Sequence, residues 1–156
     1  MLAREGGPRM NVETSRFGRL EIEHDDLLTF PAGLFGLEVC KHWVLLADAQ
    51  NDALGWLQST SRPDVAVAVV SPRRFVPNYQ VRVSRNELKP LALSEMRDAK
   101  VLVIVGRNER SITLNLKAPL VINLKQRVGR QVVVNNDAAI QHELHVEAAT
   151  PKRMIA

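Results

Sequence analysis

At 156 residues the chain is long enough for one domain with its own core, needing no metal or disulfide to hold it. Hydrophobic residues make up 46% and charged residues 24%, which excludes a disordered polyelectrolyte and a fibrous repeat. The net charge of +4, from 21 basic against 17 acidic residues, is too modest to demand a polyanionic partner, and the single cysteine, Cys40, excludes an intramolecular disulfide.

Met1 to Arg9 shows no periodicity, so residues 1–10 are expected to form a disordered leader. It has no apolar signal core, and no apolar run approaches the ~18 residues of a spanning helix, so neither secretion nor a membrane is expected and the location expected is cytoplasmic. Phe17 to Ile22 reads as the first strand, His24-Asp25-Asp26 as a polar turn and Leu27 to Phe30 as a short strand. Pro31 to Gly36 is a loop by its punctuation, yet it carries Leu34 and Phe35. Two readings stand: a plug for one end of the core, which is favoured because most Leu and Phe are buried, or an outward patch for a partner. Substituting both by Asp is expected to leave the fold intact and abolish partner binding, whereas an unfolded double variant would show the plug reading instead.

Trp43 to Ala47 and Gly55 to Thr60 read as strands flanking a polar loop. Val65 to Val70 is a continuous apolar run expected to be covered on both faces. Ser71 to Pro77 is an extended loop in which Arg73 and Arg74 with Phe75 and Tyr79 could make a cation-and-aromatic patch, although a solvated loop with anchored aromatics is the plainer reading. Ser84-Arg-Asn-Glu87 fits a capping box, with a helix of a couple of turns that Pro90 ends and Leu88 and Leu91 facing inward. Val101 to Val105 is a buried strand.

From Ile112 to Asn135 the chain reads as a strand, a break at Ala118-Pro119, and an antiparallel hairpin. Ile112, Leu114 and Leu116 alternate with Thr113, Asn115 and Lys117. Leu120 to Leu124 runs out, Gln126 to Gly129 reverses, and Arg130 to Asn135 returns, with Gly129 expected to take the positive φ of the turn. Ala138 to Ala149 could form a weak amphipathic helix.

Several of these stretches, in this order, resemble the flagellar assembly factor FliW family. They are Arg16-Phe-Gly18, Phe30-Pro-Ala-Gly-Leu-Phe-Gly-Leu37, Trp56-Leu-Gln-Ser59, Ser71-Pro72 with Phe75, Pro77 and Tyr79, and Asn115-Leu-Lys-Ala-Pro-Leu-Val-Ile-Asn123 followed by Gly129-Arg-Gln-Val132. The resemblance spans about Asn11 to Asp137, which makes Met10 a second candidate start. It implies a cytoplasmic, non-enzymatic binding protein that holds flagellin before export and, when flagellin is depleted, binds the RNA-binding repressor CsrA and weakens its grip on RNA. By motif match it implies partner-binding roles for Phe30, Leu34, Phe35, Arg73, Phe75, Tyr79, Asn115, Lys117, Asn123 and Arg127. One departure is charge: many relatives are acidic, as suits a basic CsrA, whereas this chain is net basic, so flagellin ranks ahead of CsrA.

No stretch carries the chemistry of an enzyme. Cys40 and His42 share strand parity but lack an orienting third group and an oxyanion donor, so Cys40 reads as a packed thiol. His142 and His145 are spaced for one helix face, but they lack further ligands and read as surface histidines. No phosphate-cradling glycine motif is present, and no metal or cofactor is expected. The alternative function is a small basic β-barrel that binds nucleic acid: Arg107 to Arg130 holds six basic residues and one acidic. Against it, that segment has no aromatic residue on which a base could stack, so direct nucleic-acid binding is not expected.

The fold expected is therefore mainly all-β: one compact antiparallel β-barrel-like domain over residues 11–137 with one or two short helices, followed by a tail over 138–156 with weak helical character.

Overall fold

A computed structural model describes residues 8–145. Their strands are β1 (Arg9–Thr14), β2 (Gly18–Glu23), β3 (Leu27–Thr29), β4 (His42–Ala47), β5 (Leu54–Ser59), β6 (Ala66–Val70), β7 (Ala99–Arg107), β8 (Ile112–Leu114), β9 (Leu120–Asn123), β10 (Val128–Gln131) and β11 (His142–Glu143). One four-residue α-helix, α1 (Arg85–Leu88), and short 3-10 turns complete them.

Strands β3 to β6 run as an antiparallel meander into β7, which pairs onward with β9; β9 pairs with β10, and β10 returns to β3. Seven strands thus close into a barrel. The expected all-β barrel with a short helix is the observed fold, with one difference in direction: the β10–β3 closure, Val128 opposite Thr29, is parallel. The nine-residue β7 makes closure possible, because its Ala99–Leu102 half pairs with β9 and its Val105–Arg107 end pairs with β8. Strand β11 adds to the outside of β8.

The barrel interior holds Leu28, Phe30, Leu34, Cys40, Trp43, Leu57, Val69, Leu102, Leu120 and Ile122. Strand alternation sends Val121 the other way, where it packs with Leu91 and Val132 beneath the α1 segment. All four residues of β9 are consequently buried. That double cover was expected of Val65 to Val70, but in β6 only Val69 and Val70 are buried, and Ala66 to Ala68 are half-buried. The β1–β2 hairpin is a separate two-stranded sheet laid over Val44 by Val12 and Ile22.

Four local expectations are corrected. The leader ends earlier than expected: Arg9 and Met10 belong to β1 and pair with Glu23 and Ile22, while residues 1–7 lie outside the described residues. Ser84 precedes α1 without a side-chain cap, Glu87 Oε1 instead reaching to 3.8 Å from Arg130 Nε. The capping box forms at Glu23 and Asp26, and Asp26 Oδ2 accepts the Glu23 amide at 2.8 Å. Residues 142–143 are a strand where a helix was expected, and the rest of that helix, 146–149, lies outside the described residues.

The hairpin turn holds the fourth correction. The positive φ falls on Arg127 (56°), and Gly129 lies in β10. Arg127 is held there from both ends: its Nη2 donates to Asp26 O at 2.8 Å and its carbonyl accepts the Thr29 amide at 3.0 Å. Gly129 serves close approach, for a Cβ there would lie 2.5 Å from Phe30 Cζ.

Candidate functional site

In the Pro31–Gly36 loop the two apolar side chains point different ways. Leu34 is 1% exposed and plugs the barrel, whereas Phe35 is 55% exposed. The double Asp substitution would therefore bury a charge at Leu34, and only the Phe35 change leaves the core alone. The loop's backbone is determined closely. Gly33 (φ +69°) passes so near the Glu38 backbone that a Cβ would sit 2.5 Å from Glu38 Cα. The Phe35 amide donates to Gln131 Oε1 at 2.8 Å, and Gln131 Nε2 donates to Ala118 O at 3.0 Å. Val39, further along the same segment, is 70% exposed. Phe35 thus faces outward from a backbone held at several points.

Gln131 and Val39 were not among the candidates taken from the sequence. Gln131 left a weak signal, a polar side chain with buried parity in an apolar hairpin. Val39 left none.

The other candidates divide by burial. Phe30 is fully buried against Gly129 and offers no surface. Tyr79 is buried; its hydroxyl donates to Leu116 O at 2.6 Å, and burial pushes its pKa up to about 12. Asn123 is buried, accepts the Lys125 and Gln126 amides, and donates to Leu91 O, so it shapes the hairpin turn. Asn115 does the equivalent before Pro119, accepting the Lys117 and Ala118 amides. Lys117 Nζ reaches Asn136 O at 3.1 Å, and Arg127 closes the barrel as described above. Arg73 and Phe75 are exposed. The Arg73 guanidinium, through Nε, donates to Tyr79 O at 2.9 Å and so anchors the backbone, which accords with the plainer reading of this stretch as a solvated loop whose Tyr79 is anchored.

A cation does stack elsewhere, with Arg16 Cζ 4.2 Å from the Trp56 ring centroid and Phe17 edge-on to the same ring. Trp56 Nε1 donates to Asp48 Oδ1 at 3.0 Å, which holds that carboxyl below its ordinary range. Several stretches that carried the family resemblance thus meet in pairs: 16–18 with 56–59, 30–37 with 129–132, and 71–79 with 115–123. Their distinctive residues mostly hold one another.

Four of the six basic residues between 107 and 130 have intrachain roles. Arg110 pairs with Glu143 at 2.7 Å, Arg130 lies near Glu87, Lys117 is bonded to Asn136, and Arg127 to Asp26. Cys40 is buried and His42 exposed, so they do not face one another. His142 lies in β11, which rules out the helix face it was to share with His145. Among the described residues no group of three or more His, Cys, Asp or Glu could hold a metal ion, and no helix is long and apolar enough to cross a membrane.

Comparison with known proteins agrees with this architecture. The family model described as "FliW protein" matches residues 11–144. The flagellar assembly factor FliW of Natranaerobius thermophilus is 33% identical over 92% of this chain and 98% of its own length. That of Bdellovibrio bacteriovorus is 35% identical over 86% of this chain and 79% of its own. A crystal structure of the flagellar assembly factor FliW superposes with a TM-score of 0.80 at 29% identity, covering 89% of this chain and 99% of that one.

Proposed function

The chain belongs to the FliW family of flagellar assembly factors, and from that premise we propose that it works as a non-enzymatic partner-switching protein in the cytoplasm. In this reading it binds flagellin before export and, once flagellin is depleted, binds CsrA and weakens CsrA's hold on RNA. Flagellin synthesis is thereby coupled to flagellin consumption by mass action. The linkage requires the CsrA surface that meets this protein to be coupled to the one that meets RNA.

The observation that carries the reading is Phe35, a large apolar side chain standing out from a closed barrel on a clamped loop. A single exposed hydrophobe is ordinary, but one that its backbone cannot withdraw is suited to a partner's apolar groove. Flagellin is assigned to it ahead of CsrA, because the net charge of +4 works against a basic partner.

The test is a titration of purified flagellin subunit into the chain and into Phe35→Asp, with thermal melts alongside. We expect the substitution to weaken flagellin binding at least about tenfold while the melting temperature stays the same. We expect CsrA added to the flagellin complex to bind only as flagellin is removed. If the wild type ignores flagellin at micromolar concentration, or the variant binds it unchanged, the assignment fails. The nucleic-acid alternative is not advanced, since most of the basic segment is engaged within the fold.

A further inference from the structure

Besides the single-pair closure of β10 on β3, the barrel wall is incompletely paired between β6 and β7. Strands β6 and β7 are in register at only two positions, Val69 opposite Ile104 and Val70 opposite Val103. Continuing that register would set Pro72 opposite Val101 and Arg73 opposite Lys100. Pro72 has no N–H for a ladder, and the chain turns there into a 3-10 turn over Pro72–Arg74. The Ala99–Val101 end of β7 therefore keeps its β9 neighbour on one side and has no strand on the other.

The direction of its backbone groups follows from alternation. Ile104 O accepts the Asn115 amide on the β8 side, so Val103, Val101 and Ala99 turn their amides and carbonyls toward β6. The Ala99 amide is taken by Met96 O. The Val101 amide and carbonyl face a groove of about 700 Å³ between β7 and the segment 71–81.

The walls of that groove have a definite chemistry. Val81 and Val101 line it, Met96 (62% exposed) and Leu124 (39% exposed) stand at its margin, and Arg73, Arg97 and Lys100 outnumber Asp98 around it. Arg97 is paired with its neighbour Glu95, whereas Lys100 is exposed and has no ion-pair partner among the described residues. We propose that this groove is a second binding surface, which takes an extended acidic segment of a partner protein as an added strand on the free edge of β7. Ladder bonds to Val101 would supply the pairing, alternate apolar side chains would enter between Met96 and Leu124, and carboxylates would lie against Lys100 and Arg73.

The chain's own ends do not suit this role. Residues 1–7 carry one arginine and one glutamate, and residues 146–156 carry Lys152 and Arg153 against Glu147, so neither supplies acidic complement. RNA fits less well than peptide. Tyr79, the one aromatic lining the groove, is buried with its hydroxyl engaged and has no face for a base. The surface is separate from Phe35: Gln131, which holds Phe35, is opposite Leu120 at one end of the β9–β10 hairpin, and Leu124 follows Asn123 at the other.

The probe is a fluorescent peptide alternating aspartate and valine, with a lysine-for-aspartate counterpart and an oligouridine, each titrated into the full chain. The aspartate peptide is expected to bind and the lysine peptide not. Lys100→Glu should weaken binding about tenfold at unchanged melting temperature, Phe35→Asp should leave it intact, and amide exchange at Val101 should slow in the complex. Failure of the aspartate peptide to bind, equal binding of both peptides, an unprotected Val101 amide, or loss of binding in Phe35→Asp would each overturn the groove. Preference for oligouridine with a steep salt dependence would reassign it to nucleic acid.

Discussion

Individual residues in this protein hold more of the fold than their types suggest. Gly129 has an ordinary strand conformation, and it is glycine because the Phe30 ring occupies the space of its missing side chain. Gly129→Ala should destabilise the chain by about 1–3 kcal/mol in denaturant unfolding, the usual cost of overpacking a filled core. The double change with Phe30→Leu should cost less than the sum of the two single changes, because the pair shares one space. Tyr79 makes a second case. Its pKa is raised to about 12 by burial, so the folded state keeps the proton that the unfolded chain releases near pH ~10. Its contribution is complete below that lower value and disappears as pH climbs to about 12. Urea melts should show stability falling across this window in the wild type and a shallower fall in Tyr79→Phe. At neutral pH that variant should lose about 1–3 kcal/mol, because Leu116 O is left without its donor.

At the scale of elements, β11 is the least anchored. Two residue pairs join it to β8, supplemented by Glu143, which accepts from Arg110 and Asn108. The Arg110 guanidinium, helped by the Asn108 amide, holds the Glu143 carboxyl below the usual glutamate range. A depressed folded value means the attachment is whole above the unfolded range and is lost as pH falls through the folded value. The protection factor of the Leu144 amide, which donates to Ile112 O, should therefore drop in acid while the barrel amides stay protected. Glu143→Gln should show that drop already at neutral pH; full protection in the variant would mean the ladder alone suffices. The Phe35 loop is the opposite kind of element, pinned by Gly33 and Gln131 although it has no regular structure.

At the scale of the whole molecule, closure is the organising fact. A seven-stranded barrel consumes its own edges, so surfaces for other proteins must come from what projects beyond the wall or from where the wall fails to pair. The contact proposed for the Phe35 loop is of the first kind and the one proposed for the β6–β7 gap of the second. They lie at opposite ends of the β9–β10 hairpin, so one barrel can present two contacts without either obstructing the other.

The amino-acid order alone determined the strand-rich class and most of the inner strands, because β4, β5 and β7 are short, largely apolar runs that end at polar turns. The same order placed Leu34 and Phe35 on one glycine-flanked loop as a candidate contact. It did not reveal which of the two faces out, that Arg127 rather than Gly129 takes the turn, that Glu87 leaves its cap for Arg130, or that β7 lacks a neighbour beside Val101. Each of those outcomes depends on residues tens of positions away coming within a few ångströms, a distance that no local periodicity encodes. Tertiary contact decided them: a ring beside a glycine, a guanidinium on two distant carbonyls, and a proline that stopped one ladder.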